Sequence, residues 1–233
     1  MPTSPLAVLG LGFVLGLRHA LDVDHLAAVS TIVSQRRSLW RSSLVGALWG
    51  LGHTVSLVAV AVGVIGLHTQ IPPFVGRLLE LGVAAMLVVL GVNLLRSVLG
   101  GEVHVHVHAH GERPHVHPHV HAHDAADHAH GSSRRRPFFV GLVHGLAGSA
   151  GLMLAVAASI PSPALALLYV AVFGIGSVGG MAAMSALLGI PALLTSQRFA
   201  GADRALRLGA AAASVGIGLQ LAWQIGTEAG FLA

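Results

Sequence analysis

Six long apolar stretches constrain how this sequence can fold. They cover residues 5–33, 44–67, 74–99, 138–160, 164–190 and 205–228, and Gly, Pro or Arg residues separate them. A helix crosses the hydrocarbon core of a bilayer with about 20 apolar residues, so each stretch is long enough to span it. Charged residues make up 9% of the chain, whereas soluble domains have about 25%. We therefore predict an all-α integral membrane protein with six transmembrane helices rather than a soluble enzyme.

The arginines predict which side of the membrane each loop faces. All 13 basic residues are Arg, and 11 of them lie in or beside the loops after the first, third and fifth predicted helices. Such basic loops face the cytoplasm, which puts both termini outside. Residues 1–10 have no basic segment and no cleavage site, so we expect the first helix to be retained. The Ala-, Gly- and Arg-rich composition favours the cytoplasmic (inner) membrane of a bacterium.

The two halves of the sequence resemble each other at a nearly constant offset. Residues 16–21 of the first predicted helix match residues 141–146 of the fourth, and residues 49–52 of the second match residues 173–176 of the fifth. Three helices in each half would orient the halves oppositely, as in the inverted repeats of secondary transporters, whose sites lie near the membrane midplane. We predict a 3+3 inverted repeat. A chance similarity among Gly-rich helices is the alternative.

The segment between the halves has a different composition. We assign residues 1–101 and 137–233 to the two three-helix repeats, and 102–136 to a polar, low-complexity cytoplasmic loop. Eleven of the 16 histidines lie in this loop: His104, His106, His108, His110, His115, His117, His119, His121, His123, His128 and His130. Their alternation would put the imidazoles of an extended chain on one side. Because unprotonated imidazoles coordinate metals, we predict an auxiliary metal-collecting loop, with a solvated linker as the alternative.

Ionisable residues cluster in the first apolar stretch. Each charge at that depth costs about 2.5–3.5 kcal/mol even on lenient insertion scales, so such residues are usually functional. In a continuous helix, His19, Asp22 and His25 would lie within a face of about 120°, with Asp24 further round. Three ligands could then reach one metal ion. Arg18 precedes Asp22 by one helical turn and could pair with it; a purely structural ion pair is the alternative.

Two further histidines lie in later helices. His53 and His144 are flanked by glycines that allow close helix approach, and we predict that they complete a four-ligand site. For each of them, a structural histidine that donates to a neighbouring carbonyl is the alternative. Because the chain has no Cys, the ligands are nitrogen and oxygen, which suit nickel, cobalt or zinc. The first stretch is long for one span, so we expect it to bend at the cluster. Side chains that could hold the ligands in place, or act only in helix packing, are Arg18, Thr54, Asn93, Ser177 and Gln220.

These motifs resemble a known family. His19, Asp24 and His25, within His-Ala-x-Asp-x-Asp-His, resemble the signature of the nickel/cobalt transporter superfamily, and residues 51–54, Leu-Gly-His-Thr, resemble its second motif. Residues 141–151 are similar to its urease-accessory branch of high-affinity nickel transporters. The resemblance implies a permease in which His19, Asp22, Asp24 and His25 are essential and His53 assists. The extra N-terminal helix and later acidic motifs of longer members are not found in this sequence.

The predicted function is a secondary permease for Ni²⁺ and/or Co²⁺, working in uptake. Export through the same site is the main alternative, because His-rich loops occur in importers and exporters of the superfamily. An intramembrane metal-dependent hydrolase would use similar ligands, but the chain lacks His-Glu-x-x-His, and we expect no enzyme activity. A phosphate-binding Gly-x4-Gly-Lys motif is also missing from the sequence.

The expected partners follow from this function. They are a divalent metal ion, the lipid bilayer, and metallochaperones or urease and hydrogenase maturation proteins. We expect no cofactor, since nickel or cobalt is the transported substrate. We also expect no nucleic acid, because the sequence has no basic stripe with interleaved aromatic residues. The sequence leaves the oligomeric state open.

Overall fold

The computed structural model describes residues 4–36, 38–67, 71–100, 103–109, 114–120, 135–146, 151–196 and 200–228. Within these ranges the chain forms eight helices and two strands. In chain order they are α1 (Pro5–His19), α2 (Val23–Val33), α3 (Leu39–Leu67), α4 (Pro73–Leu99), β1 (Val103–Ala109), β2 (Pro114–Val120), α5 (Arg135–Gly145), α6 (Gly151–Ala158), α7 (Pro163–Ser196) and α8 (Ala200–Glu228).

The long helices make this a multi-pass integral membrane protein. In the described part of the chain, α3, α4, α7 and α8 are long and apolar enough to cross a membrane, and α1 with α2 gives a fifth span if the pair crosses as one. The sequence predicted six spans. The predicted span that is not among these helices covers residues 138–160. There α5 has 11 residues and α6 has 8, and each is shorter than a bilayer-crossing helix. Residues 147–150 lie outside the described ranges.

The first predicted helix is broken, as expected. The axes of α1 and α2 differ by 55°. The backbone tightens after α1, where the N–H of Leu21 donates to the carbonyl of Arg18 at 2.9 Å, and Asp22 is extended, with φ −61° and ψ 143°. Since Asp22 is the N-cap residue of α2, a helix C-terminus and a helix N-terminus meet at the ionisable cluster.

Close helix packing holds the bundle together around this break. The largest interfaces pair α3 with α7, α4 with α8, α1 with α7, and α3 with α5. Glycines allow the approach: a Cβ on Gly16 of α1 would collide with the carbonyl of Phe173 in α7, and a Cβ on Gly141 of α5 would collide with the carbonyl of Trp49 in α3. These contacts bring the break between α1 and α2 against the middle of α3.

The His-rich segment contains the two strands. β1 and β2 pair antiparallel, with His104 opposite His119, His106 opposite His117 and His108 opposite His115. This hairpin lies in the loop between the two halves, and the secondary structure of the described residues outside this loop is all helical. The remaining histidines of the loop, His110, His121, His123, His128 and His130, lie outside the described residues.

Candidate metal centre

Four elements bring the predicted ligands to the centre of the bundle. His19 is the last residue of α1, Asp24 and His25 lie in the first turn of α2, His53 is the middle residue of α3, and His144 is near the end of α5. All four imidazoles are buried, with His53 and His144 each 0% exposed. Residues far apart in sequence therefore share one enclosed site.

Three of the imidazoles form the core of the site. One ring nitrogen each of His19, His25 and His53 lies within 4.8 Å of the others. The Nε2 atoms of His19 and His53 are 3.0 Å apart, and the ring centroids of His19 and His25 are 4.6 Å apart. We call His19, His25 and His53 the histidine cluster.

Asp24 joins the histidine cluster to the second half of the chain. Its Oδ1 accepts from Nδ1 of His25 at 3.1 Å, and its Oδ2 accepts from Nε2 of His144 at 2.9 Å. Its Oδ1 also accepts the backbone N–H of His25 at 3.0 Å. Asp24, His25 and His144 form a second group of possible ligand atoms within 4.8 Å of one another. His25 therefore belongs to both groups.

Asp22 contacts the imidazole of His19 from the more exposed side of the site. Its Oδ2 lies 2.8 Å from Nδ1 of His19, and its side chain is 43% exposed. A carboxylate on one imidazole nitrogen fixes the ring and the tautomer and leaves the other nitrogen free for a metal. In His19 that other nitrogen is Nε2, which faces His53.

Several buried ring nitrogens are left without a hydrogen bond. Within the described residues, Nε2 of His25, Nδ1 of His53 and Nδ1 of His144 have no partner. Buried side-chain nitrogens are nearly always paired, so an exception calls for an explanation. An unprotonated imidazole nitrogen can instead bind a metal ion as a ligand.

Two aromatic residues enclose the site, and the sequence did not indicate them as part of it. The ring of Trp49 lies 5.2 Å from that of His25 and 5.4 Å from that of His144, and the ring of Phe173 lies 5.4 Å from that of His19. They correspond to each other in the two halves. The match between residues 49–52 and 173–176 was the signal in the sequence that could have pointed to them.

The residues predicted to support the ligands differ in their contacts and in their burial. Thr54 donates to the carbonyl of Gly174 at 3.2 Å, which makes it an α3–α7 packing contact. Ser177 is buried. Arg18, Asn93 and Gln220 have exposed side chains. The partner of Asp22 is His19, so the ion pair with Arg18 suggested by their spacing is not what the structure forms.

Comparisons with known proteins agree with the motifs. No protein-family model and no solved structure matches the chain. The urease accessory protein UreH of Bacillus sp. (strain TB-90) is 36% identical over 193 residues, which cover 83% of this chain and 81% of that protein. The hydrogenase nickel incorporation protein HupN of Bradyrhizobium diazoefficiens is 34% identical over 97 residues, and this match covers 36% of this chain and 24% of HupN.

The match to UreH is long enough to decide the family. It spans most of both chains, and the motifs that suggested the superfamily supply the buried residues of the histidine cluster. The chain belongs to the nickel/cobalt transporter superfamily, in the branch of the urease accessory protein UreH.

Proposed function

We propose that this protein is a secondary transporter that carries Ni²⁺, and also Co²⁺, inward across the bacterial cytoplasmic membrane through the histidine cluster. The observation that carries the proposal is the convergence of three buried imidazoles, from α1, α2 and α3, to within 4.8 Å at a break between two helices. Such breaks are where transporters bind ions. The names of the two relatives, which refer to urease and to nickel incorporation, support nickel as the substrate.

In this proposal the imidazoles bind the ion and the carboxylates position them. His19, His25 and His53 supply nitrogen ligands, which divalent nickel and cobalt favour over the oxygen sites of magnesium or calcium. Asp22 and Asp24 each accept from an Nδ1 of these rings and together carry two negative charges. They offset the charge of a divalent ion, which would otherwise be costly to bury.

His144 acts through Asp24 in this scheme. Its Nε2 lies 2.9 Å from the carboxylate, and its ring centroid lies 4.3 Å from that of His25. At the offset that relates the halves, His144 corresponds to His19, whereas Asp22, Asp24 and His25 correspond to Ala147, Ser149 and Ala150. The first half therefore supplies the main ligands, and the second half contributes one imidazole.

We further propose six spans arranged as a 3+3 inverted repeat, with α5 and α6 as the counterpart of α1 and α2. Helix contacts recur at the offset: Gly16 against Phe173 corresponds to Gly141 against Trp49. Two more pairs of contacts recur in the same way. Gly176 against Phe13 corresponds to Gly52 against Phe138, and Gly91 against Ala211 corresponds to Gly218 against Ala84. Two halves related by a two-fold axis would produce such reciprocal pairs, which supports the repeat.

The membrane potential supplies the driving force in this proposal. Two positive charges that move inward across 100 mV gain about 4.6 kcal/mol. With both termini outside, the His-rich hairpin lies on the cytoplasmic side. Its register, with three His–His pairs across the strands, supports a role in collecting the ion there for a metallochaperone or for urease or hydrogenase maturation proteins.

Uptake of radioactive nickel tests the proposal directly. Cells that express the wild-type protein should accumulate more nickel than cells with the His53→Ala variant at equal membrane levels. Asn93→Ala is the matched control, because its side chain is exposed, and it should transport like the wild type. Equal accumulation in wild-type and His53→Ala cells would contradict transport through this site. Lower accumulation with the wild type would instead indicate export.

A further inference from the structure

Two buried hydroxyls in the interface between α3 and α7 have no hydrogen-bond partner among the described residues. They belong to Ser42 and Ser185, and both side chains are 0% exposed. A Cβ on Gly46 of α3 would collide with Oγ of Ser185, and a Cβ on Gly189 of α7 would lie 2.8 Å from Oγ of Ser42. Each hydroxyl therefore points across the interface at the opposite helix.

Many other helical hydroxyls of this protein are satisfied in the usual way. Serine and threonine in helices commonly donate to a carbonyl one turn earlier. Hydroxyls that donate to carbonyls here belong to Ser30, Thr31, Ser34, Ser56, Ser97 and Ser214. Leaving a buried hydroxyl unpaired costs free energy. The described hydroxyls left in this state are those of Ser42, Tyr169, Ser177 and Ser185. Of these, Ser42 and Ser185 lie in the α3–α7 interface on the arginine-rich side of the histidine cluster.

The two serines lie between the histidine cluster and the arginine-rich end of the bundle. Ser42 precedes His53 by 11 residues in α3, which is about 16 Å along the helix axis and about half the thickness of the hydrocarbon core. Along the helix axis, Met181 lies between the histidine cluster and the two serines, and its Sδ is 3.2 Å from the position of a Cβ on Gly50. Arg36 and Arg41 flank the start of α3 on this side.

The opposite end of the bundle has no such hydroxyls at the equivalent positions. At the offset of 124 residues that relates Trp49 to Phe173, Ser42 corresponds to Ala166 and Ser185 to Ala61. Both alanines are buried. Among these matched positions, the two hydroxyls therefore lie only on the arginine-rich side of the α3–α7 interface.

We propose that Ser42, Ser185 and Met181 line the path by which the divalent cation leaves the histidine cluster toward the arginine-rich side. The inference rests on the proposed transport function. As α3 and α7 separate, the serine oxygens would replace part of the hydration shell of the ion, as oxygen ligands do in ion pathways. All three side chains are buried, so this structure represents a state in which the path is closed.

Alanine substitutions test the path. Because the two hydroxyls have no protein partner, the Ser42→Ala, Ser185→Ala double variant should unfold at the same temperature as the wild type or higher. Its maximal rate of nickel uptake should fall about tenfold, which corresponds to a barrier about 1.4 kcal/mol higher, with no rise in the half-saturating nickel concentration. Ser214→Ala is the matched control: its buried hydroxyl donates to Leu87 at 2.8 Å, so the variant should lose thermal stability but keep its uptake rate.

Cysteine labelling gives a second readout that does not depend on the alanine variants. The chain has no native cysteine, so Ser185→Cys introduces a single thiol. A small cationic methanethiosulfonate reagent, applied to the arginine-rich face of inverted vesicles, should label it faster while the vesicles transport nickel than in vesicles without nickel. Ser214→Cys should stay unlabelled.

The outcomes separate the two proposals. If wild-type protein moves no nickel, the proposed function fails. If the wild type transports and the double alanine variant transports at the same rate, the path is wrong while the function stands. If the double variant does not reach the membrane, failure to label Ser185→Cys under transport conditions overturns the path.

Discussion

The Nε2 atoms of His19 and His53 lie 3.0 Å apart at the centre of the bundle, and both rings are buried. Two metal–nitrogen bonds of about 2.1 Å that meet at about 90° span this separation. Because Nδ1 of His19 donates to Asp22, its Nε2 accepts, so His53 supplies the shared proton. An ion that enters between the two rings takes the place of that proton, and the unpaired Nδ1 of His53 can accept the proton, so His53 would bind the ion as a neutral imidazole.

Loss of His25 should impair transport more than loss of His144. His25 belongs to both groups of ligand atoms, whereas His144 belongs to one and is hydrogen-bonded to Asp24. We expect His25→Ala to lower the initial rate of nickel uptake more than about 100-fold and His144→Ala about 10-fold, the lower end of the range for groups that orient ligands. A larger loss in His144→Ala than in His25→Ala would contradict these roles.

Asp22→Asn should weaken nickel recognition without unfolding the protein. The carboxylate lies 2.8 Å from Nδ1 of His19 and is partly exposed, so the change removes its charge and its hold on the ring. We expect the half-saturating nickel concentration to rise about 10- to 100-fold. Arg18→Gln should leave it nearly unchanged, because the structure pairs Asp22 with His19. Equal effects of the two changes would indicate an Arg18–Asp22 pair during transport.

Alanine at Gly16 or at Gly141 should destabilise the bundle to a similar degree. Each new Cβ would collide with a backbone carbonyl of the facing helix, that of Phe173 or that of Trp49. Overpacking of this kind costs about 1–3 kcal/mol. Gly82→Ala is the control, since no atom lies within 4 Å of its Cβ position, and it should be neutral or stabilising. Thermal unfolding in detergent measures all three variants.

Asp203→Ala should destabilise the start of α8. Oδ2 of Asp203 lies 3.0 Å from Nε of Arg207, and the two side chains are 4% and 23% exposed. The guanidinium of Arg207 reaches solvent, so its loss of a partner is partly compensated by water, and we expect a cost of about 1 kcal/mol. Arg204→Ala, at an exposed position, should have no comparable effect on the unfolding temperature. Similar thermal stability in both variants would contradict a structural role for the pair.

The chemical character of the site could be predicted because it depends on residue types. Ionisable residues within an apolar stretch, and the absence of cysteine, were enough to indicate a buried nitrogen and oxygen site. The bend between α1 and α2 could be predicted from the length of the stretch. The side chains that Asp22 and Asp24 contact could not, because the angular spacing of a continuous helix does not apply across the break at residues 20–22.

Membrane insertion follows from the sequence alone, since the length and hydropathy of each helix are local properties. Which side chains meet does not, because it depends on contacts between distant segments. Packing of α5 on α3 brings His144 to within 2.9 Å of Asp24, and packing of α3 on α7 sets Ser42 and Ser185 facing across the interface. Only the packed bundle leaves these hydroxyls and three imidazole nitrogens buried and unpaired, because burial and hydrogen bonding are settled when the helices come together.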